Sequence, residues 1–168
     1  MRKMVLKAEY DYMKYISFPS SAKVINDGTG PSPWVYWSPH RIAVQPRDVI
    51  RVTVEAKQEN VKGRQGHVLL LGIPGALGVM LPLGSFDWSK FEREVTIPPE
   101  VNTFGVMPAG GDGTTESPGI TWFDDLKIYQ NEKLIYENKF TAPLVQAAVG
   151  VVLPIATGLG VVRFGKKG

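Results

Sequence analysis

The alternation of apolar and polar residues before position 140 predicts a series of short β-strands. In segment 49–57 every second residue is apolar, beginning at Ile50, and the residues between them are polar. A period of two is typical of a strand with one buried face. Segment 91–97 repeats the pattern and ends at Pro98 and Pro99, which cannot donate hydrogen bonds to a neighbouring strand.

Other strands are predicted from apolar runs bounded by turn-forming residues. Segments 34–37, 41–44 and 68–71 are short runs of this kind, and segments 120–129 and 134–136 flank a turn, which predicts a hairpin. No segment before position 140 keeps a helical period. Together with 18 glycines and 13 prolines, these six to nine strands predict an all-β protein built as a β-sandwich.

The C-terminal part of the chain has a different character. Residues 142–162 include no charged side chain, and about 20 such residues suffice for a helix to cross a bilayer. This favours a transmembrane helix over 141–163 and a short basic tail over 164–168. The alternative is a buried apolar tail of two strands. In a membrane helix, a stripe for packing against other helices would consist of Gly150, Pro154 and Gly158.

The net charge of +3 points to a membrane rather than to nucleic acid. Up to Lys139 the chain has 16 basic and 16 acidic residues, and the excess of three cations follows the uncharged segment. A neutral body offers no face for phosphates, so nucleic acid is not an expected partner. The positive-inside rule then favours a single-pass membrane protein with its sandwich on the extracytoplasmic side. Three lysines that precede the segment leave this orientation open.

The templates of enzyme chemistry are missing from the sequence. It has no cysteine and only two histidines, His40 and His67, without the spacing of a zinc site. It also lacks a serine-nucleophile elbow and the glycine-rich motifs that bind nucleotides. The sequence therefore predicts that the chain is not an enzyme.

One pair of adjacent carboxylates lies within a predicted strand. Because neighbouring side chains in a strand point to opposite faces, either Asp124 or Asp125 should point into the sandwich. A buried carboxylate is costly unless it is paired, hydrogen-bonded or bound to a metal. Two explanations are open: a calcium ion, or backbone N–H groups that donate to the buried carboxylate.

Three segments resemble the closing half of carbohydrate-binding modules of the family 4/9 type: 86–91, 95–98 and 119–126. Segment 44–52 is similar to the strand that follows a Pro-Gly-Asp turn in that family, with Arg47 in the place of the glycine. The resemblance covers about residues 20–140. It implies a jelly-roll β-sandwich of about eight strands over 1–140, of the galactose-binding-like class.

The resemblance also implies a structural calcium ion and a sugar site. The calcium would be held by Asp125 and Asp124, with Glu9 as the nearest candidate for the N-terminal ligand. Sugar rings stack on exposed aromatic side chains, and the aromatic residues outside the segments that mark the fold are Trp34, Tyr36 and Trp37. Trp88 and Trp122 lie within those segments and are expected in the core.

These observations predict a non-catalytic, membrane-anchored β-sandwich that presents a carbohydrate- or surface-binding domain. The alternative is a structural or accessory subunit of a membrane-containing assembly, such as a viral coat or a membrane protein complex. In that case the sandwich makes protein–protein contacts. The expected partners are a membrane, other transmembrane helices or protein subunits, and a carbohydrate.

Overall fold

A computed structural model describes residues 6–26, 35–36, 40–63, 66–76, 78–110, 118–141, 144–146 and 152–154. Every regular secondary-structure element within these residues is a β-strand, which confirms the prediction of an all-β protein. The strands are β1 (Leu6–Asp11), β2 (Ser21–Asn26), β3 (Val35–Tyr36), β4 (His40–Ala43), β5 (Val49–Val61), β6 (His67–Leu71), β7 (Val79–Met80), β8 (Gly84–Thr96), β9 (Thr103–Gly110), β10 (Gly119–Gln130), β11 (Lys133–Asn138), β12 (Leu144–Gln146) and β13 (Val152–Pro154).

Eleven of these strands form two antiparallel sheets. The larger sheet has the order β1-β2-β10-β5-β8, with β11 also paired to β10. The smaller sheet has the order β3-β9-β6-β7, with β4 also paired to β9. Strand β10 is long enough to pair with β2 through its first half and with β11 through its second half, on the same edge. The β-sandwich is confirmed, with more strands than the eight expected, whereas the jelly-roll connectivity stays a prediction.

The core lies between the two sheets and is centred on β5. Ile50, Val52 and Val54 are at most 1% exposed, as the period of two predicts. They form one apolar cluster with Val68 of β6 and Phe104 of β9. Burying each of these side chains stabilises the fold by roughly 1.5 to 3 kcal/mol, so the contact between the sheets is the main apolar contribution.

A β-bulge divides β10 at the two adjacent aspartates. Asp124 is paired with Glu55 and Lys127 with Thr53, so two residues of β10 lie opposite one residue of β5. The backbone at Asp125 has φ of 46°, in the left-handed region. The extra residue reverses which face the following side chains occupy.

Because of this bulge, neither aspartate points into the space between the sheets. Phe123 and Leu126 belong to the core cluster on either side of the bulge. Trp122 and Asp124 alternate with Phe123 and therefore lie on the opposite, outer face of the larger sheet. The expectation that one of the two carboxylates faces the sandwich interior is wrong, since regular alternation does not continue through residues 123–126.

The turn before β5 places Arg47 in a conformation that favours glycine. Arg47 has φ of 70°, and the N–H of Asp48 donates to the carbonyl of Gln45 over 3.1 Å. A proline at the second position and positive φ at the third define a type II turn, in which glycine is preferred at the third position. Arg47 thus occupies the position where the related turn has glycine.

Replacing Arg47 with glycine should stabilise the protein. A residue with a side chain costs about 1 to 2 kcal/mol in the left-handed region, and glycine avoids this cost. Glycine also loses more conformational entropy on folding, which cancels part of the gain. We expect a net gain of about 0.5 to 1 kcal/mol and a rise in Tm of about 1 to 4 °C, measured by thermal unfolding. Arg47→Ala removes the same side chain without relieving the backbone, and an equal gain from it would contradict this explanation.

The carboxylate of Asp48 connects this turn to the hairpin between β10 and β11. Its Oδ2 accepts the N–H of Gln45 at 2.7 Å and a bond from the Gln130 amide. Its Oδ1 accepts the amide of Asn131 at 2.8 Å. The backbone hydrogen bond from Gln45, followed by the Asn131 amide, lowers the pKa of Asp48. The hydrogen bonds therefore favour the charged form in the folded protein.

The Asp48→Asn variant should reveal this contribution as a pH dependence. Since the pKa of Asp48 is lower in the folded than in the unfolded chain, its stabilisation is present above the unfolded pKa of about 3.9. It is lost as the pH falls through the lower, folded value. We expect the Tm difference between wild type and variant to be largest near pH 6 and to shrink below about pH 4. Glu100→Gln, at an exposed carboxylate, is the control, and a difference independent of pH would contradict the assignment.

The described part of the C-terminal segment is extended rather than helical. Strands β12 and β13 are antiparallel, and Leu144 is paired with Pro154. The transmembrane helix predicted over 141–163 is therefore not formed at these residues, consistent with β-branched valines favouring strands. Among the described residues there is no helix with the length and apolar character needed to cross a membrane. Gly150, Gly158 and the basic tail lie outside the described residues.

Candidate functional site

Residues 12–19, in the connection between β1 and β2, fold over the outer face of the larger sheet. We call this segment the 12–19 loop. The N–H groups of Ile16 and Ser17 both donate to Oδ2 of Asp124 over 2.7 Å. Since Asp124 lies on the outer face, these bonds hold the middle of the loop against β10.

The start of the loop is fixed by Asp11, the last residue of β1. Its Oδ1 accepts the N–H groups of Met13 at 2.8 Å and of Lys14 at 3.1 Å, an arrangement in which an aspartate initiates a turn. Its Oδ2 accepts the indole N–H of Trp122 at 2.8 Å. Burial raises the pKa of Asp11, but the Trp122 bond and the two backbone bonds outweigh it, so the pKa is lowered.

The end of the loop is fixed by two serines that are completely buried. The hydroxyl of Ser20 donates to the carbonyl of Phe140 over 2.8 Å. The hydroxyl of Ser21 donates to the carbonyl of Lys14 over 2.6 Å, which ties the end of the loop to its beginning. The loop is thus anchored at its start, middle and end.

Trp122 forms the floor beneath the loop. It is 1% exposed, and the ammonium of Lys14 lies 4.4 Å from the centroid of its ring, with that of Lys23 at 5.6 Å. A cation that lies above the face of an aromatic ring is attracted to it electrostatically. The Lys14 ammonium also pairs with Glu59 at 2.5 Å. Trp122 is buried as expected, but beneath the loop and not between the sheets.

Asp124 is the most buried charged group at the site. Its side chain is completely inaccessible, and in addition to the bonds from Ile16 and Ser17 its Oδ1 accepts the N–H of Asp125 at 2.7 Å. Burial raises the pKa of Asp124, and the backbone N–H groups offset this rise only in part. Three backbone donors thus surround this buried carboxylate, which is the arrangement that one of the two open explanations expects.

The tip of the loop presents an apolar surface to solvent. Met13 is 88% exposed, Phe18 is 75% exposed and Ile16 is 47% exposed. The half-buried ring of Tyr15 lies edge-on to that of Phe18, with centroids 5.8 Å apart. Of the six exposed large apolar side chains among the described residues, three therefore lie within one six-residue stretch.

The three residues predicted to bind calcium are each engaged with hydrogen-bond donors or cations. Asp125 pairs with Lys127 at 2.7 Å, and Glu9 pairs with Lys23 at 3.7 Å. Asp124 accepts backbone N–H groups. No group of three or more carboxylate or imidazole side chains in the described part of the chain is placed to hold a metal. Calcium binding stays a prediction of the sequence.

The aromatic residues predicted to bind sugar are at another place in the fold. Strand β3, which includes Tyr36, pairs with the end of β9, and nothing more is described of the Tyr36 side chain. Trp34 and Trp37 lie outside the described residues. The structure therefore does not bring the three side chains together into a described site.

The sequence interpretation missed the 12–19 loop. The sequence feature that could have revealed this loop is a run of large apolar residues with no period of two. The run lies directly after a strand and before the segment Pro-Ser-Ser. The run consists of Tyr12, Met13, Tyr15, Ile16 and Phe18. Such a density of apolar residues outside a strand or helix is a sign of an exposed contact surface.

No protein-family model matches the chain, and no curated protein matches it either. The resemblance to carbohydrate-binding modules is therefore not confirmed. Among solved structures, the chain is similar to the enzymatically active domain of bacteriophage CBA120 tailspike protein 4, with 12% identity and a TM-score of 0.48. The match covers 79% of this chain, and the chain spans only 18% of that structure's length.

This match contradicts the prediction that the chain is not an enzyme, because the matched structure is described as an enzymatically active domain. That prediction is withdrawn. At a TM-score of 0.48 and 12% identity, the likeness also carries no argument for catalysis by this chain.

Replacing Asp124 with asparagine should destabilise the protein strongly. The amide group can accept at only one of its two positions, which leaves either the N–H of Asp125 or the N–H groups of Ile16 and Ser17 facing another donor. We expect a loss of about 2 to 3 kcal/mol of unfolding free energy. This corresponds to a fall in Tm of roughly 4 to 12 °C, measured by thermal unfolding.

Asp125→Asn is the matched control, because it removes the neighbouring carboxylate and only a partly exposed ion pair with Lys127. Its effect should stay below about 1 kcal/mol. Equal effects of the two variants would refute the role given to Asp124. Repeating the measurement with about 5 mM calcium or a chelator tests the competing explanation. A calcium-dependent rise in Tm that is lost in Asp124→Asn would show that the carboxylate binds the metal.

Proposed function

We propose that the protein is a β-sandwich module that binds another protein subunit of an assembly through the apolar tip of the 12–19 loop. The observation that carries this proposal is the exposure of Met13, Ile16 and Phe18 on one anchored loop. Clustered apolar side chains in water are a feature of interaction surfaces, whereas single ones are common on any protein.

The anchoring of the loop supports a role in binding. Its backbone is held by the carboxylates of Asp11 and Asp124 and by the two serines at its end. A surface that is already ordered loses little conformational entropy when a partner docks, so more of the contact energy remains as affinity. A covering role for the loop alone would explain its buried residues but not its exposed ones.

The chemistry of the tip favours a protein over a sugar. The three exposed side chains are a thioether, an aliphatic chain and a phenyl ring, and among them only the thioether has a hydrogen-bonding atom, which is a weak acceptor. The Lys14 side chain is engaged below the tip with Trp122 and Glu59. Phenylalanine and methionine are enriched in protein interfaces.

Carbohydrate binding is the second candidate, and one observation favours it. The ring of Phe18 is 75% exposed and is braced edge-on by Tyr15, so its position is fixed. A fixed and exposed ring can stack on the apolar face of a sugar. Attachment to a membrane through segment 142–162 is a further proposal, and vesicle binding that Phe18→Ser retains in the screen below would support it.

Site-specific photo-cross-linking tests the proposed function. A photoreactive side chain is introduced at position 13 or 18 in the full chain within its native cells, and at position 134 as a control. Leu134 is 45% exposed on β11 and thus matches the test positions in apolar character. We expect the same discrete protein adduct from both loop positions and none from position 134. With the purified partner, Phe18→Ser should weaken binding about tenfold or more, because it removes a buried aromatic contact.

Phe18→Ser and Leu134→Ser should both leave the Tm nearly unchanged, since both side chains are exposed. A glycan array and vesicles of neutral or anionic lipid are screened with wild type and Phe18→Ser. Glycan binding lost in Phe18→Ser, without a protein adduct, would replace the proposal with the carbohydrate candidate. Vesicle binding with the same dependence on Phe18 would replace it with a membrane surface.

A further inference from the structure

A small cleft opens beside β8, at the opposite end of the larger sheet's strand order from the 12–19 loop. It lies between the β6–β7 connection and the end of β8 and has a volume of about 160 Å³. The apolar residues that line it include Leu70, Ile73 and Val95. Arg93 and Thr96 supply the polar side chains at its lining.

Arg93 occupies a position on the face of β8 that packs against the smaller sheet. It is paired with Val52, between the pairs that Phe91 makes with Val54 and Val95 makes with Ile50. These three β5 residues belong to the buried core. Alternation therefore places Arg93 on the same face as Phe91 and Val95, where an apolar residue would continue the pattern.

The guanidinium of Arg93 makes no hydrogen bond, ion pair or ring contact with any described residue. By contrast, Arg51 on β5 pairs with Glu132 at 2.9 Å. The Arg93 side chain is exposed, and the residue lines the cleft. A cation there attracts an anionic group, and the planar fork of arginine matches a carboxylate through two parallel hydrogen bonds.

The loop that forms the other wall is held tightly to β6. Gly78 has φ of 74°, and a Cβ added there would lie 2.0 Å from the carbonyl oxygen of Val68. The N–H of Ala76 donates to the carbonyl of Ile73 over 3.2 Å, which closes a turn. At position 78 only glycine permits this close approach to β6.

We propose that this cleft binds a carboxylate group carried on a short aliphatic body. The carboxylate pairs with the guanidinium of Arg93, and the aliphatic part contacts Leu70, Ile73 and Val95. A volume of about 160 Å³ accommodates roughly five water-sized groups, which limits the bound part to a few carbon atoms beyond the carboxylate. This site does not depend on the function proposed for the 12–19 loop.

Titration with isobutyrate, followed by backbone amide chemical shifts of the full-length protein, tests the proposal. We expect saturable shifts at Gly75, Ala76 and Thr96 with a Kd of about 1 to 10 mM. Isobutyramide has the same shape without the charge and should give no saturable shift. Arg93→Gln should weaken isobutyrate binding about tenfold or more, the effect of losing a charged hydrogen bond.

Lys90→Gln is the matched control, because it removes one cation from the outward face of the same strand, opposite Glu55. It should leave the isobutyrate affinity within about twofold, since its charge is exposed and screened by salt. Absence of saturable shifts, or equal binding by wild type and Arg93→Gln, would overturn the proposal. So would equal binding of isobutyramide or inorganic phosphate.

A competing explanation is that Arg93 protects an edge strand, because a charged side chain on such a strand discourages pairing with another chain. Sedimentation of Arg93→Gln and wild type distinguishes this role from binding. Self-association of the variant, combined with no isobutyrate binding by wild type, would assign Arg93 to edge protection and overturn the carboxylate site. Isobutyrate binding that Arg93→Gln loses while remaining monomeric would support the site.

Discussion

The contact between the Asp124 carboxylate and the backbone of the 12–19 loop determines the character of the outer face of the larger sheet. A fully buried carboxylate is unfavourable unless donors surround it, and here the donors come from a segment that is neither strand nor helix. The loop in turn covers Trp122, which would otherwise expose a large aromatic surface. Carboxylate, loop and indole therefore depend on one another, through hydrogen bonds that the sequence alone does not reveal.

Two aspartates with opposite pKa shifts act on the same loop. Asp11 and Asp124 each accept backbone N–H groups, but the pKa of Asp11 is lowered and that of Asp124 is raised. Burial raises the pKa of both carboxylates and hydrogen-bond donors lower it. Only at Asp11, where the donors include the Trp122 indole, is the effect of the donors the larger one. Asp124 thus holds the loop at an electrostatic cost, which the fold tolerates because the buried N–H groups would be unsatisfied without it.

The strands and the buried face of β5 could be predicted from sequence, because a period of two directly reflects which side chains meet the core. The turn at Arg47 could be predicted as well, since Arg47 stands where the resembled Pro-Gly-Asp turn has glycine, the residue that favours positive φ. The side of the sheet on which Asp124 lies could not be predicted, because the bulge at Asp125 adds one residue and alternation then misassigns the face. The role of the 12–19 loop depends on contacts across more than one hundred positions of sequence, which local patterns do not contain. The same patterns passed over Arg93, an exposed cation that alternation places on the core-side face of β8 between Phe91 and Val95.

The arrangement of two strands end to end along one edge of β10 has a consequence for the evolution of the chain. Strand β2 pairs with the part of β10 before the bulge, and β11 pairs with the part after it. A gain or loss of a single residue near Asp125 would shift one of these partners against the other and turn a core face outward. Length changes should therefore accumulate among relatives in the connections between strands, while the spacing from Gly119 to Gln130 stays constant even where the side chains differ.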